Sequence, residues 1–137
     1  MSVSKIIKEY KHNIKKEKKK IVIDVDGVVA TLVKGLDYSK SKPIKKNINF
    51  INNLKKSGIK IIFFTARGTE TGIDWEKTTR KQFKEWGVLY DQLIFGKPAA
   101  DLYIDDKGAV PSILNALDRE SRDNNIKKND NKNINYC

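Results

Sequence analysis

Two short apolar runs decide most of what this chain can fold into. Ile21-Val22-Ile23 leads straight into Asp24, and the stretch from Ile59 to Phe64 leads straight into Thr65. Neither shows the regular polar alternation of a strand with one wet face. Runs of this kind belong to parallel sheets buried on both faces, and parallel strands need crossover connections. The intervening segments supply them. Ile44, Ile48, Ile51 and Leu54 recur at helical spacing behind Pro43, and Gly58 stops that helix. Trp75, Thr79, Phe83 and Trp86 share a second helical face, closed by Gly87. Shorter runs at 93–95 and 102–104 read as further strands. Val110, Ile113, Leu114 and Leu117 mark a last helix with Pro111 near its start. The expectation is an α/β fold, a Rossmann-like doubly wound sheet with mostly parallel strands.

The 137 residues fit one compact domain, expected over 20–120. A basic extension precedes it over 1–19, where Ile6, Ile7, Tyr10 and Ile14 permit a short amphipathic helix. A polar tail follows over 121–137 and is expected to be disordered. The net charge of +11 sits mostly in the ends: residues 1–20 hold eight Lys against two Glu, whereas 21–118 hold fifteen basic against twelve acidic residues. Such termini suit a nucleic-acid backbone. Tyr10 is the only aromatic of the N-terminal extension to stack a base, so a solvated extension is the expectation. No run is long enough to span a membrane, no apolar signal segment precedes the domain, and the only cysteine, Cys137, has no internal partner. The expected location is cytoplasmic. A lone His12 among lysines gives little support to His-based triads or zinc sites.

The polar groups that end the apolar runs all leave on one edge. Asp24 and Asp26 follow the first strand, Thr65 the second, Lys97 the third by one glycine, and Asp105 and Asp106 the fourth. In an open parallel sheet that edge is where ligands bind. Clustered carboxylates repel one another and raise at least one pKa, a strain that a hard dication relieves. Mg²⁺ takes one or two carboxylates with water and substrate phosphate, which makes it the expected cofactor and a phosphate ester the expected substrate. Lys97 and the Thr65 hydroxyl are suited to non-bridging phosphate oxygens. Aspartate needs no partner base to attack phosphorus, and a second carboxylate two residues on can protonate the leaving group and later take a proton from water. Gly27 lets the backbone turn tightly beside them. Arg67 is a candidate for binding the phosphoryl group, or else a partner of Glu70 or Asp74. Tyr38 faces either substrate or solvent, Trp75 and Trp86 read as packing residues, and Lys107 as a surface lysine.

In that order, "IDVDG", "FFTARG", "GKP" and "YIDD" resemble the four motifs of the haloacid dehalogenase superfamily of phosphatases, over residues 20–118. The resemblance implies Asp24 as nucleophile, Asp26 as general acid/base, Thr65 and Lys97 on the phosphoryl group, and an aspartyl-phosphate intermediate. It also implies that Asp105 or Asp106 holds Mg²⁺ together with Asp24 and the backbone carbonyl of Asp26. Two subgroups are similar. "GKPAADLYIDDK" resembles the small phosphatases of capsule and surface-polysaccharide biosynthesis. "DVDGVVA" and "TTRKQFKEWGV" resemble the 3'-phosphatase domain of phage-type polynucleotide kinases, although no GxxxxGK[ST] loop occurs. The spacing leaves no room for a cap domain. The 28–42 loop or a neighbouring subunit in a homo-oligomer is expected to screen the site. A sugar phosphate or small metabolite is the leading substrate class, a nucleic-acid 3'-phosphate the second, and a non-catalytic polyanion binder the alternative of a different kind.

Overall fold

The computed structural model describes residues 3–6, 8 and 19–134. Three parallel strands, β1 (Lys20–Ile23), β2 (Lys60–Thr65) and β3 (Gln92–Phe95), lie in the order β1-β2-β3. Helix α1 (Lys45–Lys56) connects the first two, α2 (Glu76–Trp86) connects the second and third, and α3 (Ile113–Ile134) follows. The fold is Rossmann-like α/β, as the apolar runs predict. Both crossovers step the same way across the sheet, so right-handed connections put α1 and α2 on the same face.

The helical faces form as their spacing requires. Ile48, Ile51 and Leu54 of α1 are buried, and Gly58 follows its last turn at φ +104°. Thr79 and Phe83 of α2 are buried, and Gly87 closes that helix in the left-handed conformation at φ 70°. The register sets Ile23 beside Phe63 and Phe63 beside Leu93, and all three are buried. Phe63, Phe83 and Tyr90 meet edge to face, with Phe63 and Phe83 4.8 Å apart at their centroids. Ile6 packs on the same core. His12, Tyr10, Ile14 and Cys137 lie outside the described residues. Among those described, no helix is long and apolar enough to cross a membrane.

Burial is uneven between the two faces of the sheet. Val22, Ile62, Phe64 and Ile94 alternate with the core positions. Val22 is 62 % exposed, Ile94 is 43 % exposed, and Ile62 and Phe64 are half-buried. The expectation of a fully buried first strand is therefore corrected: β1 is an edge strand of four residues, and its second face is uncovered.

The run 102–104 is not a strand. Leu102, Tyr103 and Ile104 are exposed, Ile104 at 92 %. An apolar run of only three residues ahead of the Asp105-Asp106 turn makes a minimal strand, and β1 does not recruit it. The polar tail also differs from expectation, because the backbone stays helical to Ile134. No Gly or Pro follows Pro111, and Arg122 pairs with Asp118 one turn earlier at 2.9 Å.

Asp91 fastens the near end of the sheet. Its N–H donates to the Ile61 carbonyl, one carboxylate oxygen accepts from the Ile61 N–H at 2.8 Å, and the other accepts from Lys55 Nζ at 2.9 Å. The Lys55 bond and then the Ile61 bond hold its carboxyl below the ordinary value of 3.8. A carboxyl depressed on folding stabilises above its unfolded pKa, and that contribution disappears as pH falls through the folded value. Asp91→Ala is therefore expected to lower the urea midpoint at pH 7, with the gap from wild type closing below about pH 4. In the core, Phe83→Ala should cost about 3–5 kcal/mol in the same measurement.

Candidate active site

The turn after β1 is built around one carbonyl. Val25 O accepts from the N–H groups of Val28, Val29 and Ala30 at 3.0–3.2 Å, and Gly27 N–H donates to Ala30 O at 2.7 Å. Gly27 sits at φ +83°, where a side chain is strained. Asn47 from α1 donates to Val28 O and pins the turn from below. The result separates the two carboxylates of Asp24-Val25-Asp26, whose central valine is fully buried.

Asp24 accepts from Val25 N–H at 2.8 Å, and its other oxygen lies 3.9 Å from Lys97 Nζ. Partial burial raises its pKa above 3.8. Lys97 and the Val25 N–H oppose that shift, and Asp26 adds to it. The expectation that crowding raises one carboxyl pKa holds in direction, with desolvation rather than repulsion as the larger cause.

Lys97 reaches Asp24 because its backbone is tied to β2. Its N–H donates to Thr65 O at 3.1 Å, and the Thr69 hydroxyl donates to Lys97 O at 2.8 Å. Its ammonium lies 4.3 Å from the centre of the Tyr103 ring. Thr65 is fully buried, and its hydroxyl oxygen accepts from Arg67 N–H at 3.1 Å, which leaves its own O–H as a donor.

Arg67, a candidate for the phosphoryl group, is only 3 % exposed and is engaged within the protein. Nε and Nη2 form a fork on Asp26 at 3.0 and 2.9 Å, and Nη1 donates to Thr79 Oγ1 at 2.9 Å and to Gln82 Oε1 at 2.7 Å. Tyr38, in the second of two short 3₁₀ turns (Lys34–Leu36 and Tyr38–Lys40), stacks its ring 4.7 Å from the guanidinium and meets Trp75 edge-on at 5.2 Å. The partner of Arg67 is thus Asp26, not Glu70 or Asp74.

The structure therefore brings together Asp24, Asp26, Thr65, Arg67 and Lys97. It does not bring in Asp105 and Asp106, which sit on an exposed turn where Lys107 N–H donates to Asp105 and holds that carboxyl below its ordinary value. Among the described residues, no group of three or more His, Cys, Asp or Glu side chains is placed to hold a metal. The donor set at the strand ends is Asp24, with Asp26 already taken by Arg67. This fits a cation that draws most of its ligands from substrate and water, as Mg²⁺ does, and does not form a four-carboxylate cage. The segment between β1 and α1 holds only two short 3₁₀ turns and that between β2 and β3 only α2, and the Asp24 side chain is 41 % exposed.

Thr79 was legible as a position on the apolar face of α2, but not as a ligand of Arg67. Gln82 was missed. Its signal was a glutamine on the buried side of a helix, beside Phe83 and three residues after Thr79.

The chain matches no protein-family profile and no curated protein. Among solved structures it is similar to a structural-genomics target from Vibrio cholerae at 23 % identity, with a TM-score of 0.65, over 77 % of this chain and 98 % of that one. A chain of the Pnkp1/Rnl/Hen1 complex aligns at 20 % identity and a TM-score of 0.47, over 74 % of this chain and 34 % of that one. The first likeness shows a shared fold.

The loop that delivers Arg67 depends on Gly68. It sits at φ +84°, and a Cβ there would lie 2.0 Å from Ile73 O. Gly72 has a similar φ of +73° with nothing within 4 Å, which isolates the cost of the conformation alone. Gly72→Ala should cost about 1 kcal/mol. Gly68→Ala should cost clearly more in denaturant unfolding, since backbone must move.

Proposed function

We propose that this chain is a phosphomonoester hydrolase of the haloacid dehalogenase type, working through an aspartyl-phosphate intermediate. The observation that carries the reading is the pairing of the two strand-end carboxylates with different cations: Asp24 lies beside Lys97, and Asp26 is clamped by the buried Arg67. Such a division suits a nucleophile and an acid/base.

In the proposed course, Asp24 attacks phosphorus as the bond to the leaving oxygen breaks, and Asp26 gives that oxygen a proton. Asp26 then takes a proton from water as the water attacks the aspartyl phosphate, releasing phosphate and restoring Asp24. Lys97 and the Thr65 hydroxyl hold non-bridging oxygens, and Lys97 offsets charge that develops on them. Arg67 acts through Asp26, fixing its orientation by two parallel bonds. Mg²⁺, when bound, would neutralise phosphate charge beside Asp24. For Asp105 or Asp106 to ligate it as well, their exposed turn would have to move in toward Asp24. A sugar phosphate or small phosphorylated metabolite is the substrate class favoured here, with a neighbouring subunit supplying the missing wall of an open site; a nucleic-acid 3'-end, being large, suits an open site without one.

The test is phosphate release from an aryl phosphate, several sugar phosphates and a 3'-phosphorylated oligonucleotide, with Mg²⁺ and with EDTA. Wild type should be active with Mg²⁺ only. Asp24→Asn should lose about three orders of magnitude or more in kcat while staying folded. Unchanged turnover in Asp24→Asn would remove Asp24 as nucleophile, and a preference for the oligonucleotide would transfer the substrate assignment to nucleic-acid ends.

A further inference from the structure

Gln82 is 7 % exposed, and both ends of its amide are used. Oε1 accepts from Arg67 Nη1 at 2.7 Å, and Nε2 donates to the backbone carbonyl of Tyr38 at 2.7 Å. Arginine can only donate and a carbonyl can only accept, so the amide has one satisfactory orientation. The two partners belong to different parts of the site. Arg67 holds Asp26 at the end of β1. Tyr38 opens the 3₁₀ turn Tyr38–Lys40 at the far end of the loop that follows Asp26, and that turn packs against α2. One buried amide therefore joins the loop beside the site to the arginine that orients the proposed acid/base.

We infer that Gln82 is a positioning residue that couples the seating of the Tyr38–Lys40 turn to the orientation of Arg67 and, through it, of Asp26. If the turn lifts, Tyr38 O leaves and Nε2 is stranded in a buried setting, which is costly for an amide. Rotation of the amide to recover a partner withdraws Oε1 from Arg67. The Tyr38 ring, stacked on the same guanidinium, leaves at the same time. A seated turn and a correctly aimed Asp26 thus form one state, and loss of either disfavours the other. The structural coupling stands on these contacts alone; its kinetic consequence rests on the phosphatase reading above.

Two substitutions separate the two ends of the amide. Gln82→Glu keeps an oxygen for Arg67 and removes the donor to Tyr38 O. Gln82→Met, of similar volume, removes both bonds. Amide hydrogen exchange reads the turn without any need for activity, because Lys40 N–H bonds to Asp37 O and Ser41 N–H to Tyr38 O. Both variants should exchange at these two amides about tenfold faster or more, with β2 unchanged. On the best ester of the panel, both should raise KM several-fold, and only Gln82→Met should also lower kcat, by about tenfold. Unchanged exchange at Lys40 and Ser41 in folded Gln82→Glu overturns the coupling, whether or not the chain is a phosphatase. Equal loss of kcat in both variants overturns the separate role of Oε1. If wild type hydrolyses no ester of the panel, the phosphatase reading fails while the exchange result still decides the coupling. If Gln82→Met does not fold, Gln82→Glu carries both readouts: KM raised with kcat kept supports the inference, and kcat lost with KM kept overturns it.

Discussion

A guanidinium almost fully removed from water is the interaction around which this site is arranged. Burying a charge is expensive unless each donor finds an acceptor, and a partly satisfied buried ion is worse than none. Arg67 meets that demand with a carboxylate, a hydroxyl, an amide oxygen and an aromatic face. The four partners come from three segments. Asp26 follows β1, Thr79 and Gln82 come from α2, and Tyr38 comes from the 3₁₀ turn before α1. The planar fork is essential, because a lysine in this place offers no parallel pair of donors to Asp26. The loop that carries Arg67 is in turn held by Gly68, whose lack of a Cβ admits the Ile73 carbonyl.

This arrangement gives two neighbouring carboxylates different characters. Asp26 is locked from two directions and keeps little freedom of orientation. Asp24 is half-exposed, its cation stands 3.9 Å away, and partial burial raises its pKa despite that cation. On a regular strand Asp24 and Asp26, two positions apart, would share one face with their carboxylates side by side. Here the strand stops at Ile23, and the turn wrapped on Val25 O carries both past its end. The separation of roles begins in the termination of β1.

The same termination leaves β1 short and at the edge of the sheet. One face of the strands carries the aromatic core of Phe63 and Phe83. The other presents Val22, Ile62, Phe64 and Ile94 with little over them. Apolar runs in sequence record that residues prefer burial, not which neighbours deliver it. The run 102–104 is as apolar as the observed strands and remains outside the sheet, so Asp105 and Asp106 stay apart from Asp24 and Asp26.

The α/β class, β2 and β3, the helical faces of α1 and α2 and their glycine stops were all legible in the sequence, because apolar periodicity and left-handed glycines are local properties. So was the convergence of Asp24, Asp26, Thr65 and Lys97, since side chains that end parallel strands share an edge whatever fills the core. The tertiary structure alone decided that Arg67 belongs to Asp26, that Gln82 joins it to Tyr38, and that the 102–104 run and its two aspartates lie elsewhere. Those outcomes depend on which segments come to share a buried space. Residues 26, 38, 67 and 82 are far apart in the chain, and only the competition of their polar groups for partners out of water selects the pairing that forms.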